Sequence, residues 1–210
     1  MGKILVVDFD GTITEHDTLI AIEEEFASGP ELDRLDGLFD EGRLTLREEI
    51  TGKFALVREP LPNVVDWVLA NARVRAGFGE LVALARERGW RLVVVSSGFH
   101  ELIEPVLARE GVDVPVRANR IDTSNGNWRV IWTYGEACDM CGESCKRSLV
   151  RELAGGDEVV YVGDGYSDRC AALASDSVFA TRGLARYLDD EGVAYTRFDD
   201  FHDVARGLAE

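Results

Sequence analysis

Ile4-Leu5-Val6-Val7-Asp8-Phe9-Asp10-Gly11-Thr12 decides how this chain is read: an apolar run of strand length stops abruptly on acidic and small polar residues. Two later stretches repeat the plan. One is Leu92-Val93-Val94-Val95-Ser96-Ser97-Gly98; the other is Val159-Val160-Tyr161-Val162-Gly163-Asp164-Gly165-Tyr166-Ser167-Asp168. Runs this apolar and β-branched have the composition of strands buried on both faces of a parallel sheet. Helical spacing separates them, with Leu81, Leu84 and Ala85 before Gly89, then Leu102, Ile103, Val106 and Leu107 before Gly111. This alternation predicts an α/β fold with a doubly wound parallel sheet.

The segment 14–77 breaks the alternation. Leu19, Ile22 and Phe26, then Leu32, Leu35 and Phe39, then Leu46, Ile50, Phe54 and Val57, then Val65, Val68 and Leu69 keep helical spacing. Gly29-Pro30, Gly42 and Pro60-Leu61-Pro62 divide them into about four helices. A helical bundle between the first strand and the next αβ unit reads as an inserted cap, giving a core of 1–13 and 78–210 and a cap of 14–77. Extra helices laid on the sheet are the plainer alternative. After Gly111, Arg117–Asp122 and Trp128–Trp132 flank Ser124-Asn125-Gly126-Asn127, a β-hairpin signal. Its tryptophans would pack across the strands or line a pocket.

The 23 basic and 39 acidic residues leave a net charge of −16, which argues against nucleic acid or an anionic membrane as a partner. An anionic substrate would need a local source of positive charge. No apolar run approaches the roughly 20 residues of a membrane span. Met1 to Val7 runs straight into a strand without the layout of a signal peptide, so a cytoplasmic location is expected. A monomer or a homodimer is equally compatible with the sequence.

In an open parallel sheet the carboxyl ends of the strands share one edge, where ligands bind. Residues 8, 96 and 164 should therefore converge, bringing Asp8, Asp10, Asp164 and Asp168 into a small volume. Four carboxylates so placed repel one another unless a cation neutralises them, and hard oxygen ligands suit Mg²⁺. Any one of them could simply cap a helix; four at strand ends is a different matter. Gly163-x-Gly165 does not make a dinucleotide loop, because position 168 is Asp where that fingerprint needs Gly, and Asp164 would repel a pyrophosphate. Lys146, at a helix start before the third strand, is placed to bring an ammonium to the same edge.

The order Asp-x-Asp-x-Thr, strand-end Ser, Lys, Gly-Asp-Gly-x-x-Asp resembles the haloacid dehalogenase superfamily of phosphohydrolases over nearly the whole chain. The motifs stand at 8–12, Ser96, Lys146 and 163–168. The cap after the first motif looks like that of the subfamily containing phosphoserine phosphatase. The tail, Val178-Phe179-Ala180 then Leu184-Ala185-Arg186-Tyr187-Leu188, is similar to its branch related to methylthiopentenyl-phosphate phosphatases. The resemblance implies a Rossmann-like core and a phosphatase of small phosphorylated metabolites working through an aspartyl-phosphate. Asp8 would be the nucleophile and Asp10 the general acid and base. Mg²⁺ would be held by Asp8, Asp10 (through its carbonyl) and Asp164, with Asp168 supporting the metal or Lys146. Thr12, Ser96, Ser97, Lys146 and Ser167 would bind phosphate or substrate. Ser167 replaces a common asparagine near the substrate, which weakens the case for phosphoserine. Asp17 and Arg47 are the cap charges that would read the leaving group, with Lys53 a rival to Arg47. A phosphotransferase or mutase on the same scaffold and a non-catalytic phosphate-binding module are the alternatives.

Cys138-x₂-Cys141-x₃-Cys145 could hold a structural Zn²⁺ if a fourth ligand arrived, either Cys170 or a histidine. His16, His100 and His202 are all remote in sequence. Reduced cysteines in a loop, or a redox-sensitive disulfide beside Lys146, are the other readings.

Overall fold

A computed structural model of the chain describes residues 2–27, 29–133, 137–142 and 145–209, so Met1 of the opening run lies outside the described residues. Seven strands form one sheet in the order β4-β3-β2-β1-β5-β6-β7. The strands are β1 (Lys3–Val7), β2 (Arg91–Phe99), β3 (Val116–Asp122), β4 (Arg129–Ile131), β5 (Glu158–Gly163), β6 (Ser177–Ala180) and β7 (Thr196–Arg197). All pairs are parallel except β3 with β4, the expected hairpin. The chain winds outward from β1 through β2 and β3, then returns to β5 on the other side. The strand order therefore reverses between β1 and β5, where an open α/β sheet leaves a crevice at its carboxyl edge.

Period-two alternation along the strands supplies two cores. Leu5, Val7, Val160 and Val162 pack on one face, against α5 (Phe78–Glu87), α6 (His100–Arg109) and α10 (Phe201–Gly207). Ile4, Val6, Val159 and Tyr161 pack on the other, with Leu149 and Val150 of α7 (Lys146–Ala154), Ala171 of α8 (Arg169–Ala172), and Leu184 and Leu188 of α9 (Arg182–Glu191). The three apolar runs read as buried on both faces are β1, β2 and β5.

Between β1 and α5 lie α1 (Thr18–Phe26), α2 (Pro30–Asp40), α3 (Leu46–Phe54) and α4 (Leu61–Asn71), as the punctuation predicted. Ile22, Ile50, Phe54, Val64 and Val68 are buried in this group, and Phe26 meets Trp67 edge-on at 5.5 Å. The β3–β4 hairpin braces it. Trp128 stacks on Phe54 at 6.1 Å and donates to the Glu59 carbonyl (2.8 Å), and Trp132 donates to Thr51 Oγ1 (3.1 Å). Both tryptophans thus bond or stack against the inserted helices or the loop between them, and neither is among the lining residues of the cavity described below.

β2 does not stop at Val95. It continues to Phe99 through a bulge, advancing from Val95 to Phe99 while β3 advances only from Arg117 to Asn119. Among the described residues no helix is long and apolar enough to cross a membrane.

Candidate active site at the strand tips

β1 delivers Asp8 to the carboxyl edge still tied to β5, its N–H donating to the Val162 carbonyl at 2.9 Å. The chain then turns sharply through Phe9–Ile13, with Gly11 at φ +78°. Glycine is required there twice over. An L-residue is strained at that φ, and a Cβ would lie 2.5 Å from Asp164 Oδ2. Arg75 clamps the turn from behind, donating to the carbonyls of Thr12 (2.9 Å), Gly11 (2.8 Å) and Asp199 (2.8 Å). Thr12, fully buried, donates to Asp164 Oδ1 at 2.9 Å and stands 3.3 Å from Asp8 Oδ2.

The bulge in β2 swings Ser96 inward. Its hydroxyl donates to Asp10 Oδ2 at 2.9 Å and accepts the Gly98 N–H at 2.8 Å. Ser96 is fully buried, so it faces Asp10, whereas Ser97, held through its carbonyl by Asn119 Nδ2 at 2.8 Å, lines the cavity. Thr18 donates to the other Asp10 oxygen.

Lys146, the first residue of α7 and 1% exposed, bonds Asp8 Oδ1 and, at 2.7 Å, Asp168 Oδ1. Asp168 is fully buried. Tyr161 Oη also donates to its Oδ1 (2.7 Å), while the backbone N–H groups of Asp164 and Gly165 donate to its Oδ2 (2.9 Å each). Four donors fill the roughly four lone-pair sites of a carboxylate. With its oxygens taken by Lys146, Tyr161 and the turn after β5, Asp168 supports Lys146, and it still stands in the carboxylate cluster with Asp8 and Asp164.

One oxygen each from Asp8, Asp164 and Asp168 lies within 4.8 Å of the others; against these three carboxylates stand Lys146, bound to Asp8 and Asp168, and Arg182 at 3.7 Å from Asp164 Oδ2. The excess of negative charge shows in their protonation. Burial, then Asp168, push Asp8 well above the carboxylate range despite Lys146. Burial, then Asp168, push Asp164 up to about 6. Lys146 is disfavoured by burial, but Asp168 and Asp8 outweigh this and hold it protonated. An all-oxygen donor set with uncompensated charge fits a hard divalent cation, with Asp8 and Asp164 as the carboxylates that have capacity to bind it. Asp10 lies apart, with both oxygens engaged by hydroxyls. Burial, then the charge of Asp17, raise it to about 7, against the Thr18 and Ser96 hydrogen bonds. A carboxyl poised there can both give and take a proton at neutral pH.

A cavity of about 390 Å³ opens from these residues toward α1, α2 and α3. Asp8, Asp10, Ser97, Asp164 and Ser167 line its inner end, and Leu32, Phe39, Leu46 and Ile50 give it an apolar wall. A larger hollow of about 560 Å³ between α1 and α4 is lined by Arg182 and by Asp17, which also lines the strand-tip cavity, but by no strand-tip carboxylate of the set above. Asp17 caps α1, its Oδ1 accepting the N–H of Leu19 (2.9 Å) and of Ile20 (3.1 Å). Arg47 is corrected. It is exposed, its guanidinium lies 5.1 Å over the Trp132 ring, and it is absent from the described lining, whereas its rival Lys53 lines the cavity. Lys53 is bound to Glu23 (3.2 Å), Asp36 (2.5 Å) and Glu49 (2.7 Å). Thr18, Arg75, Tyr161 and the three carboxylates on Lys53 were not foreseen. Only Glu49, four residues before Lys53, carried a local signal.

A doubly wound sheet whose reversal point gathers paired aspartates, a hydroxyl and a buried lysine defines an α/β-class protein with an acidic, cation-ready site at its carboxyl edge. The haloacid dehalogenase-like hydrolase family matches residues 5–173, and the chain belongs to it. It is similar to 2-hydroxy-3-keto-5-methylthiopentenyl-1-phosphate phosphatases, at 36% identity to that of Geobacillus kaustophilus (98% of this chain, 94% of the relative) and 33% to that of Exiguobacterium sibiricum (97% and 95%). Among solved structures, a substrate-bound phosphoserine phosphatase shares the fold with TM-score 0.75 at 20% identity, covering 98% of each chain.

Proposed function

We propose that the protein is a Mg²⁺-dependent phosphatase of small phosphomonoesters that works through an aspartyl-phosphate on Asp8. The observation that carries the reading is Asp10: a buried carboxyl held near neutrality by its surroundings, two residues from a lysine-paired carboxylate at the base of a cavity. A binding module has no use for an acid poised at that pH.

An Asp8 oxygen attacks phosphorus, the bond from phosphorus to the ester oxygen breaks, and Asp10 gives its proton to the departing alkoxide. Asp10, now a carboxylate, takes a proton from water. The water oxygen attacks phosphorus, the acyl-phosphate bond breaks, and Asp8 is regenerated with inorganic phosphate. Lys146, held by Asp168, fixes Asp8 and places positive charge beside the phosphoryl oxygens. Bound Mg²⁺ at Asp8, the Asp10 carbonyl and Asp164 supplies Lewis-acid neutralisation of the phosphoryl charge. Thr12 keeps Asp164 in place, Ser97 and Ser167 line the phosphate end, and Ser96 sets Asp10. Helices α1–α4, over 14–77, act as a cap that reads the leaving group and limits water.

The cap favours a neutral leaving group with an apolar part. Lys53 is the only cation among the described lining residues, and three carboxylates already hold it, so the carboxylate of phosphoserine would meet no unclaimed positive charge. A ketone, a hydroxyl and a methylthio group, the features in the relatives' name, fit the wall of Leu32, Phe39, Leu46 and Ile50. Phosphate release with Mg²⁺ tests this. 2-Hydroxy-3-keto-5-methylthiopentenyl-1-phosphate should exceed phosphoserine in kcat/KM by at least about tenfold, the factor given by ~1.4 kcal/mol of unpaired-charge cost. Preference for phosphoserine would overturn the assignment of substrate. Tight binding of both without turnover, or transfer to an added alcohol in place of water, would overturn that of hydrolysis.

A further inference from the structure

The four cysteines of the chain come together although Cys170 lies 25 positions after Cys145 (170 − 145). One sulfur from each of Cys138, Cys141, Cys145 and Cys170 lies within 4.8 Å of all the others, and none is in a disulfide. We propose that these four thiolates bind one Zn²⁺, a structural site separate from the phosphate-handling carboxylates.

The geometry carries this. Zinc–thiolate bonds of about 2.3 Å in a tetrahedron put the sulfurs about 3.8 Å apart, so four sulfurs no further apart than 4.8 Å close onto the ion by small side-chain rotations. The donor set is all sulfur, which selects zinc over the hard cations suited to the strand tips. The backbone is arranged for thiolate. Cys138 to Gly142 form a tight turn, with the Gly142 N–H on the Cys138 carbonyl (2.9 Å) and Gly142 at φ +73°, and the Met140 N–H donates to Cys138 Sγ at 3.4 Å. Zinc with four thiolates carries a net charge of −2, and cations stand ready for it. Arg147 Nη1 reaches the Cys170 carbonyl at 3.3 Å while its Nε is ion-paired with Asp139 at 3.2 Å, and Arg169, its buried Nε without a hydrogen-bond acceptor, lies over the Tyr166 and Tyr187 rings at 4.4 and 4.7 Å.

The position gives the ion a purpose. Cys145 directly precedes Lys146, and Cys170 follows Asp168 by two residues. One ion bridging Cys145 and Cys170 ties the start of α7 to the start of α8, and so holds together the two elements that bear the Lys146–Asp168 pair. Metal content and folding are read without turnover, so this inference stands or falls separately from the phosphatase reading.

The test is elemental analysis of the full-length protein, purified reduced and dialysed without chelator. One zinc per chain is expected, with the four thiols blocked toward a thiol reagent until a strong chelator is added. Replacement by Co²⁺ should give the intense visible bands of a tetrahedral tetrathiolate. Cys170→Ser and Cys141→Ser should each lose the zinc and the cobalt bands. Chelation of the unmodified protein should lower its melting temperature, restored by Zn²⁺ but not by Mg²⁺. Cys141 is exposed, so its variant remains informative if Cys170→Ser does not fold. Four freely titrating thiols with no zinc, a native mass two hydrogens short from a disulfide, iron in place of zinc, or unchanged zinc in both variants would each overturn the proposal.

Discussion

Asp168→Asn isolates the contact on which the site's geometry depends. The native carboxylate accepts two backbone N–H groups on Oδ2, and Lys146 Nζ with Tyr161 Oη on Oδ1. An amide keeps one acceptor atom. If that oxygen stays on the backbone pair, the NH₂ group confronts an ammonium and a hydroxyl; if it flips, two backbone donors are orphaned. Hydrogen bonds to a charged group are worth about 1.5–3 kcal/mol each, and removing one partner of a buried ion pair costs about 3–5 kcal/mol. The expected loss is about 4 kcal/mol. At about 2–4 °C per kcal/mol for a chain of this size, the melting temperature should drop by about 8–16 °C. Urea unfolding at pH 7 measures it, as a lower midpoint with an unchanged slope. Lys146→Met should be costly too, and because the two residues share one bond, the double variant should lose clearly less than the sum of the singles. A loss under about 1 kcal/mol for Asp168→Asn, or additive losses, would refute the claim that Asp168 exists to hold Lys146.

Metal-free protein should become less stable as pH rises from about 4 through about 6. Asp8 and Asp164 are held above their ordinary values, so what they contribute is present in the acid form and lost as they ionise. Mg²⁺ competes with those protons, and thermal melts should show it raising the melting temperature more at pH 8 than at pH 5; an equal or larger gain at pH 5 would contradict the site. Gly11→Ala, with a Cβ forced to 2.5 Å from Asp164 Oδ2 at φ +78°, should cost about 1–2 kcal/mol in urea unfolding and weaken Mg²⁺ binding in a titration. Lys53→Met strips the cation from Glu23, Asp36 and Glu49 and should destabilise by about 2–4 kcal/mol at pH 8. The loss should shrink by pH 5, because Glu23, raised by burial to about 7, is then protonated; a loss independent of pH would exclude this cause.

The parts of the fold written in local pattern could be read directly. β1, β2 and β5 are apolar on both faces, the four inserted helices carry their periodicity and breakers, and the convergence of Asp8, Ser96, Lys146 and Asp164 follows from a rule about parallel sheets. What escaped depends on where side chains meet across the chain. Arg75 reaches the turn at Gly11 from a segment with no pattern, Thr18 meets Asp10 from the start of α1, and Ser96 turns inward on Asp10 through a bulge that periodicity does not announce. Arg47 and Lys53 illustrate the limit within one helix. They are six residues apart, about 120° around the axis, and only Lys53 shares the face of Leu46 and Ile50 that meets the cavity. The fourth donor to Asp168 is Tyr161, a strand residue indistinguishable in sequence from core packing.

Chemical quench of a single turnover looks for the covalent phosphoryl group on Asp8 itself. Protein mixed with radiolabelled substrate and Mg²⁺, stopped in acid within the first turnover, should carry label that hydroxylamine removes and that maps to the peptide containing Asp8. The Asp8→Asn protein should carry none and release no phosphate. Phosphate release with no protein-bound label at any time, or an Asp8→Asn protein that turns over normally, would rule out an aspartyl-phosphate on Asp8.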